Sequence, residues 1–200
     1  MARALALLLH FPALTFAQTV NCDAGEVRFD FSASGAFTTY SVGGTPYPIA
    51  NLAGYLAFLD SGTTTRFLPT QVVGGVYAYR VTCAITTPNR GGGGGTLCGV
   101  GNTWCFRISG VSGSPPLDPN TRLYVMVQVA WQIFGFPPTI HAPTFTPLGS
   151  LPDNRGLASI PGGAFVTLYI WFLLELSPTD TFPSLPTSGT LTLTYALQSN

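Results

Sequence analysis

Segments in which every second residue is apolar recur along this chain, and a backbone with that period is an extended one. In SGTLTLTYALQS (Ser188–Ser199), Leu191, Leu193, Tyr195 and Leu197 fall on one side of a strand. Thr192, Thr194, Ala196 and Gln198 fall on the other. EVRFDFS, residues 26–32, sets Val27, Phe29 and Phe31 on one face. AFTTYSV, residues 36–42, follows the turn pair Ser34-Gly35. GVYAYRVTCAITT, residues 75–87, groups Val81, Cys83 and Ile85, and TWCFRISGV, residues 103–111, groups Trp104, Phe106 and Ile108. RLYVMVQVAWQIF, residues 122–134, carries a stripe of Leu123, Val125, Val127, Val129, Trp131 and Ile133. Its other face is also mostly apolar, as in a central strand covered on two sides, so Trp104 and Trp131 are expected in the core. AFVTLYIWFLLELS, residues 164–177, is rich in β-formers and reads as another such strand.

The segment YPIANLAGYLAFLD, residues 47–60, fits either a short helix or a bulged strand; Gly54 weakens both, and a strand is expected. PNRGGGGG, residues 88–95, is a surface loop, because ordered glycine loses the most backbone entropy. No Lys-Ser or Lys-Thr follows it, so it is not a phosphate-binding loop. Residues 135–161 hold prolines at 137, 138, 143, 147, 152 and 161, which predict neither a helix nor a central strand there. About eight strands and no amphipathic helix point to an all-β fold: a single antiparallel β-sandwich, jelly-roll or Greek-key, with long Pro/Gly-rich loops.

Charge is scarce: 8% of residues against roughly 25% in typical soluble proteins. The basic residues are all Arg and are scattered, so no basic patch forms and nucleic acid is not an expected partner. Such surfaces do not repel one another, and self-association is favoured. Residues 1–17, MARALALLLHFPALTFA, read as a secretory signal. Arg3 supplies the positive start, residues 4–9 most of the apolar run, and Thr15 and Ala17 the small residues before a cut. The mature chain, 18–200, would form one β-sandwich domain with no membrane span. Four cysteines, Cys22, Cys83, Cys98 and Cys105, suit disulfides in an oxidising compartment. Cys98 and Cys105 flank GVGNTW, a turn-like segment, which leaves Cys22 for Cys83.

No catalytic, cofactor or metal signature emerges. Asp23, Glu26 and Asp30 lie close in sequence beside Arg28 and read as a solvated face. Asp153-Asn154-Arg155-Gly156 reads as a turn. His141 has no G-x-S-x-G partner and sits among prolines, as a surface histidine does. A glycosidase needs two carboxylates at a defined separation; Glu26 and Glu175 are the two glutamates, and the chain is small for such an enzyme. Aromatic residues such as Phe136 and Phe145 place any glycan contact in the loop they occupy.

A signal, an early Cys22, a VTC strand (residues 81–83) and a Thr-rich last strand together resemble secreted pilin and spore-coat-type sandwiches in general texture. That resemblance implies assembly by strand addition, in which one subunit's open sheet edge takes a strand from the next. One departure is that residues 18–21 alone precede Cys22, too few for a long donor strand. Lacking lysine, the chain cannot form Lys–Asn cross-links. The expected function is a non-enzymatic, extracellular or cell-surface structural subunit. It would build a filament, pilus (fimbrium) or coat from copies of itself, with Leu191, Leu193, Tyr195 and Leu197 as subunit contacts. The alternatives are a virus capsid or appendage jelly roll, or a secreted carbohydrate- or protein-binding module.

Overall fold

The computed structural model describes residues 17–89, 98, 103–114, 117–152, 155–180 and 188–199. The expected signal up to residue 16, most of the glycine run and the Asp153-Asn154 pair lie outside the described residues. Two antiparallel sheets pack face to face, an all-β sandwich as the alternation predicts. In chain order the strands are β1 (Thr19–Cys22), β2 (Glu26–Asp30), β3 (Thr39–Val42), β4 (Thr45–Pro48), β5 (Thr65–Phe67), β6 (Gln71–Val73) and β7 (Arg80–Thr86). Then come β8 (Thr103–Gly113), β9 (Leu123–Phe134), β10 (Thr139–Ile140), β11 (Thr146–Pro147), β12 (Gly156–Pro161), β13 (Phe165–Leu176) and β14 (Ser188–Ser199).

The first sheet runs β1-β7-β13-β9-β11, with β5 on the end of β13; the second runs β10-β12-β8-β14-β2-β6. From β7 to β9 the chain changes sheet at each step, and from β12 to β14 it does so again. The antiparallel pairs are nested: β7 with β13, β8 with β12, β9 with β11. A long hairpin rolled over a core in this way is a jelly roll. Alternation explains the core directly. Val166, Leu168, Ile170, Phe172 and Leu174 of β13 face Val27, Phe29, Phe106, Leu191 and Leu193 of the second sheet in one buried cluster. Each such side chain contributes roughly 1.5–3 kcal/mol by leaving water.

The outer face of β13 is apolar for a second reason. The β3–β4 hairpin lies over that sheet, and Val42 packs with Leu68, Met126, Trp171 and Leu173. The two-sided apolar run at 164–177 is therefore a strand between a core and a flap.

Both disulfides form. Cys22 and Cys83 are direct cross-strand partners of β1 and β7, bridged with Cα atoms 4.0 Å apart. That bond spans a sequence separation of 61, a loop whose closure is worth about 4 kcal/mol in the chain-entropy account. Cys98 bonds to Cys105. Gly156 packs on that bond: a Cβ there would meet the Cys98 Sγ at 2.6 Å.

Two expectations need correction. Residues 47–60 are not a strand throughout: β4 ends at Pro48 and a helix, α1 (Leu52–Ser61), follows. The Asn51 side chain accepts from the Gly54 N–H at 2.7 Å, which caps the first turn, and Gly62 adopts the left-handed conformation that ends it. Gly54 is required by space, since a Cβ there would meet the Ile49 carbonyl oxygen at 2.7 Å. Residues 135–161 are likewise more ordered than their prolines predict. β12 is an inner strand between β10 and β8, with Pro161 confined to its last position, where a missing N–H costs least.

Candidate functional site

Strand β9 is twelve residues long, and its two neighbours are unequal. β13 pairs with it from Leu123 to Phe134. β11 meets it only at Tyr124 and Val125, and the Val127 N–H then donates to the Ala142 carbonyl at 2.7 Å. Beyond that bond, no strand among the described residues pairs with the outer side of residues 128–133. The sequence there is Gln-Val-Ala-Trp-Gln-Ile, without a charge. Trp131 is 49% exposed and Ile133 50%, and Phe136 just past the strand is 78% exposed. Trp131 thus departs from the expected core position. It rests on Phe165 of β13, ring centroids 5.7 Å apart, on the outside of the sheet.

Two register shifts on β9, each leaving one residue of it without a β13 partner, add local twist to this segment. The Gln132 side chain donates to the Gly135 carbonyl at 2.6 Å and closes the strand's end. The result is a solvent-facing rim, apolar and uncharged, with backbone groups turned outward. Water can satisfy those groups, and so can another strand. Beside it, Trp131, Val76, Tyr77 and Tyr169 line a hollow of 280 Å³ whose floor carries Thr82 and Thr167.

The stripe expected to touch other subunits lies elsewhere. Leu191, Leu193 and Leu197 are buried in this chain's own core. Tyr195 is partly exposed, but its hydroxyl is buried, and burial, with the Asp23 carboxylate second, pushes that phenol up. β14 lies between β8 and β2: residues 188–192 pair with β2, residues 191–199 with β8, and Leu191 and Thr192 with both. No sequence signal separated this stripe from that of β9, because the same alternation marks a strand whether its neighbour belongs to the chain or not.

The titratable residues hold structure together. The Asp23 carboxylate accepts from the Thr82 N–H at 2.8 Å and the Val76 N–H at 3.1 Å, clamping the turn before β7. Burial pushes the Asp30 carboxyl up, but Ser32 donors and the Arg28 guanidinium at 2.8 Å outweigh it and hold the group below the usual carboxylate value. Glu26 stands exposed on β2. Glu175 accepts from Arg66 at 2.9 Å and Arg122 at 3.4 Å, and Arg122 also reaches Asp180 at 2.7 Å. His141 is half-buried with its Nε2 2.9 Å from the Ser159 hydroxyl, and burial lowers its pKa. Phe145, one of the loop aromatics, packs edge-on to Tyr47 at 5.3 Å. Among the described residues no three His, Cys, Asp or Glu come together as a metal ion requires, and no helix is long and apolar enough to cross a membrane. The chain matches no known family model, and no curated protein or solved structure is significantly similar to it.

Proposed function

We propose that this chain is a non-enzymatic structural subunit that is exported and assembles with its own copies into an extracellular coat or filament. The observation that supports this most is the chargeless rim of β9 at residues 128–133, apolar and without a strand neighbour on its outer side among the described residues. A second copy covers such a rim by strand pairing or by packing an apolar face against it. With 8% charged residues, copies meet without appreciable electrostatic repulsion. Two disulfides fit an oxidising compartment.

The nested pairing favours a second reading of the same assembly, a virus shell or appendage, because jelly rolls recur as capsid building blocks. That argument is by fold analogy. Electron microscopy of the native material, with N-terminal sequencing and sedimentation of the purified chain, tests both. Ordered polymers whose subunits begin at Gln18 support the exported coat or filament. Particles that retain Met1 support the virion. A monomer that stays monomeric at about millimolar concentration overturns both.

A further inference from the structure

On the outer face of the first sheet, two arginines stack on tyrosines in the same way and differ in what meets their N–H groups. The Arg66 guanidinium lies 3.9 Å from the centre of the Tyr124 ring, and its Nε donates to Glu175 at 2.9 Å. The Arg80 guanidinium lies between two rings, 3.7 Å from Tyr77 and 3.5 Å from Tyr169, with Trp171 at 5.4 Å. No carboxylate among the described residues forms an ion pair with Arg80, and its buried Nε meets no hydrogen-bond partner there. Arg66 is paired with a carboxylate, whereas Arg80 is held between two rings with no ion pair among the described residues.

A cavity of 160 Å³ opens beside it, walled by Tyr40, Tyr77, Tyr79 and Trp171. Trp171 is only 6% exposed, yet its indole N–H also lacks an acceptor among the described residues. Both of those nitrogens are sealed off, so what the cavity offers a ligand is the Arg80 side chain and the aromatic faces that line it. The walls are braced: Tyr40 stacks on Trp171 at 5.9 Å and packs on Tyr79 at 5.2 Å. Little ordering is therefore left for a ligand to induce.

We propose that this cavity binds a compact carboxylate on a sugar ring, a uronic acid. A carboxylate matches the guanidinium fork and balances one positive charge, whereas a phosphate dianion would leave a charge uncompensated. The volume equals about five waters' share of the liquid, the bulk of one small ring and too little for a nucleotide. Aromatic walls take the C–H face of a pyranose, and tyrosine hydroxyls meet its oxygens. The rim of β9 plays no part in this contact, so the site stands or falls independently of assembly.

Calorimetric titration of the mature chain with glucuronate, glucose and propionate tests it. Glucuronate binds with a dissociation constant of about 1–10 mM, and both glucose and propionate bind at least about tenfold more weakly. Arg80→Gln removes at least about tenfold of the glucuronate affinity, and added salt weakens the wild-type binding. Tyr40→Ala removes an exposed wall of the cavity and weakens binding severalfold, a readout that survives if Arg80→Gln fails to fold. Equal binding of glucuronate and glucose, equal binding of glucuronate and propionate, or no saturable binding of glucuronate overturns the assignment.

Discussion

The two halves of β9 share one pattern and meet opposite fates. Residues 123–127 place Leu123, Val125 and Val127 in the core, whereas the alternating sequence of residues 128–134 is interrupted by two bulges and stands in solvent. Two things change there: after the bond from the Val127 N–H to the Ala142 carbonyl nothing described pairs with the outer side of the strand, and the bulge at Ala130 turns Trp131 to the sheet's outer face, opposite Thr167. Alternation therefore states that a residue is to be covered, not by what. The inner half stabilises the protomer, and the outer half is available to a neighbour.

Substitutions that treat the halves alike should break or sharpen that contrast. The largest effect is expected from Val127→Asp, at 1% exposure. An unpaired charge there costs more than about 4 kcal/mol, so circular dichroism should report an unfolded chain. A melting curve like that of the wild type would dissolve the contrast. Ile133→Lys comes next. Its monomer should melt within about 1 kcal/mol of the wild type, since the site is already wet. Its polymers should disappear from the sedimentation profile, because an edge lysine opposes strand addition. Retained polymer would move the subunit contact away from β9.

The smallest effect concerns the junction between the halves. His141 precedes Ala142, donates its own N–H to the Leu157 carbonyl at 3.0 Å, and sits half-buried against Ser159. Burial lowers its pKa, so the folded chain prefers the neutral ring. The unfolded chain takes up its proton near pH ~6.5. Stability is then fully present above that value and declines as pH falls through it toward the folded pKa. Urea melts at several pH values should show this decline, and His141→Gln should flatten it in that window. An unchanged slope in the variant would assign the decline to other groups.

Most of the strand content was legible because alternation is a local property. The last strand, β13 and β2 were each readable from their own residues. Spacing pointed to one of three possible disulfide pairings, the local Cys98–Cys105 bridge that leaves Cys22 for Cys83. Helix α1 was legible in part: Asn51 before the run and Gly62 after it are helix boundary residues. Gly54 weakened helix and strand alike, and its need for space against Ile49 comes from a contact no local pattern shows. β12 was masked by prolines, of which Pro161 is its own last residue and does not interrupt the pairing before it. The Arg80 cluster was not legible, since Tyr77 and Arg80 meet Tyr169 and Trp171 only through the pairing of β7 with the distant β13.

By itself the sequence determined that the chain would extend, alternate and lie in two sheets, that its cysteines would pair, and that its surface would carry little charge. The tertiary structure alone decided which alternating residues became core and which became rim. Period and polarity act between neighbours in the chain, whereas burial depends on which distant segment returns to cover them, and at residue 128 of β9 the covering segment ends.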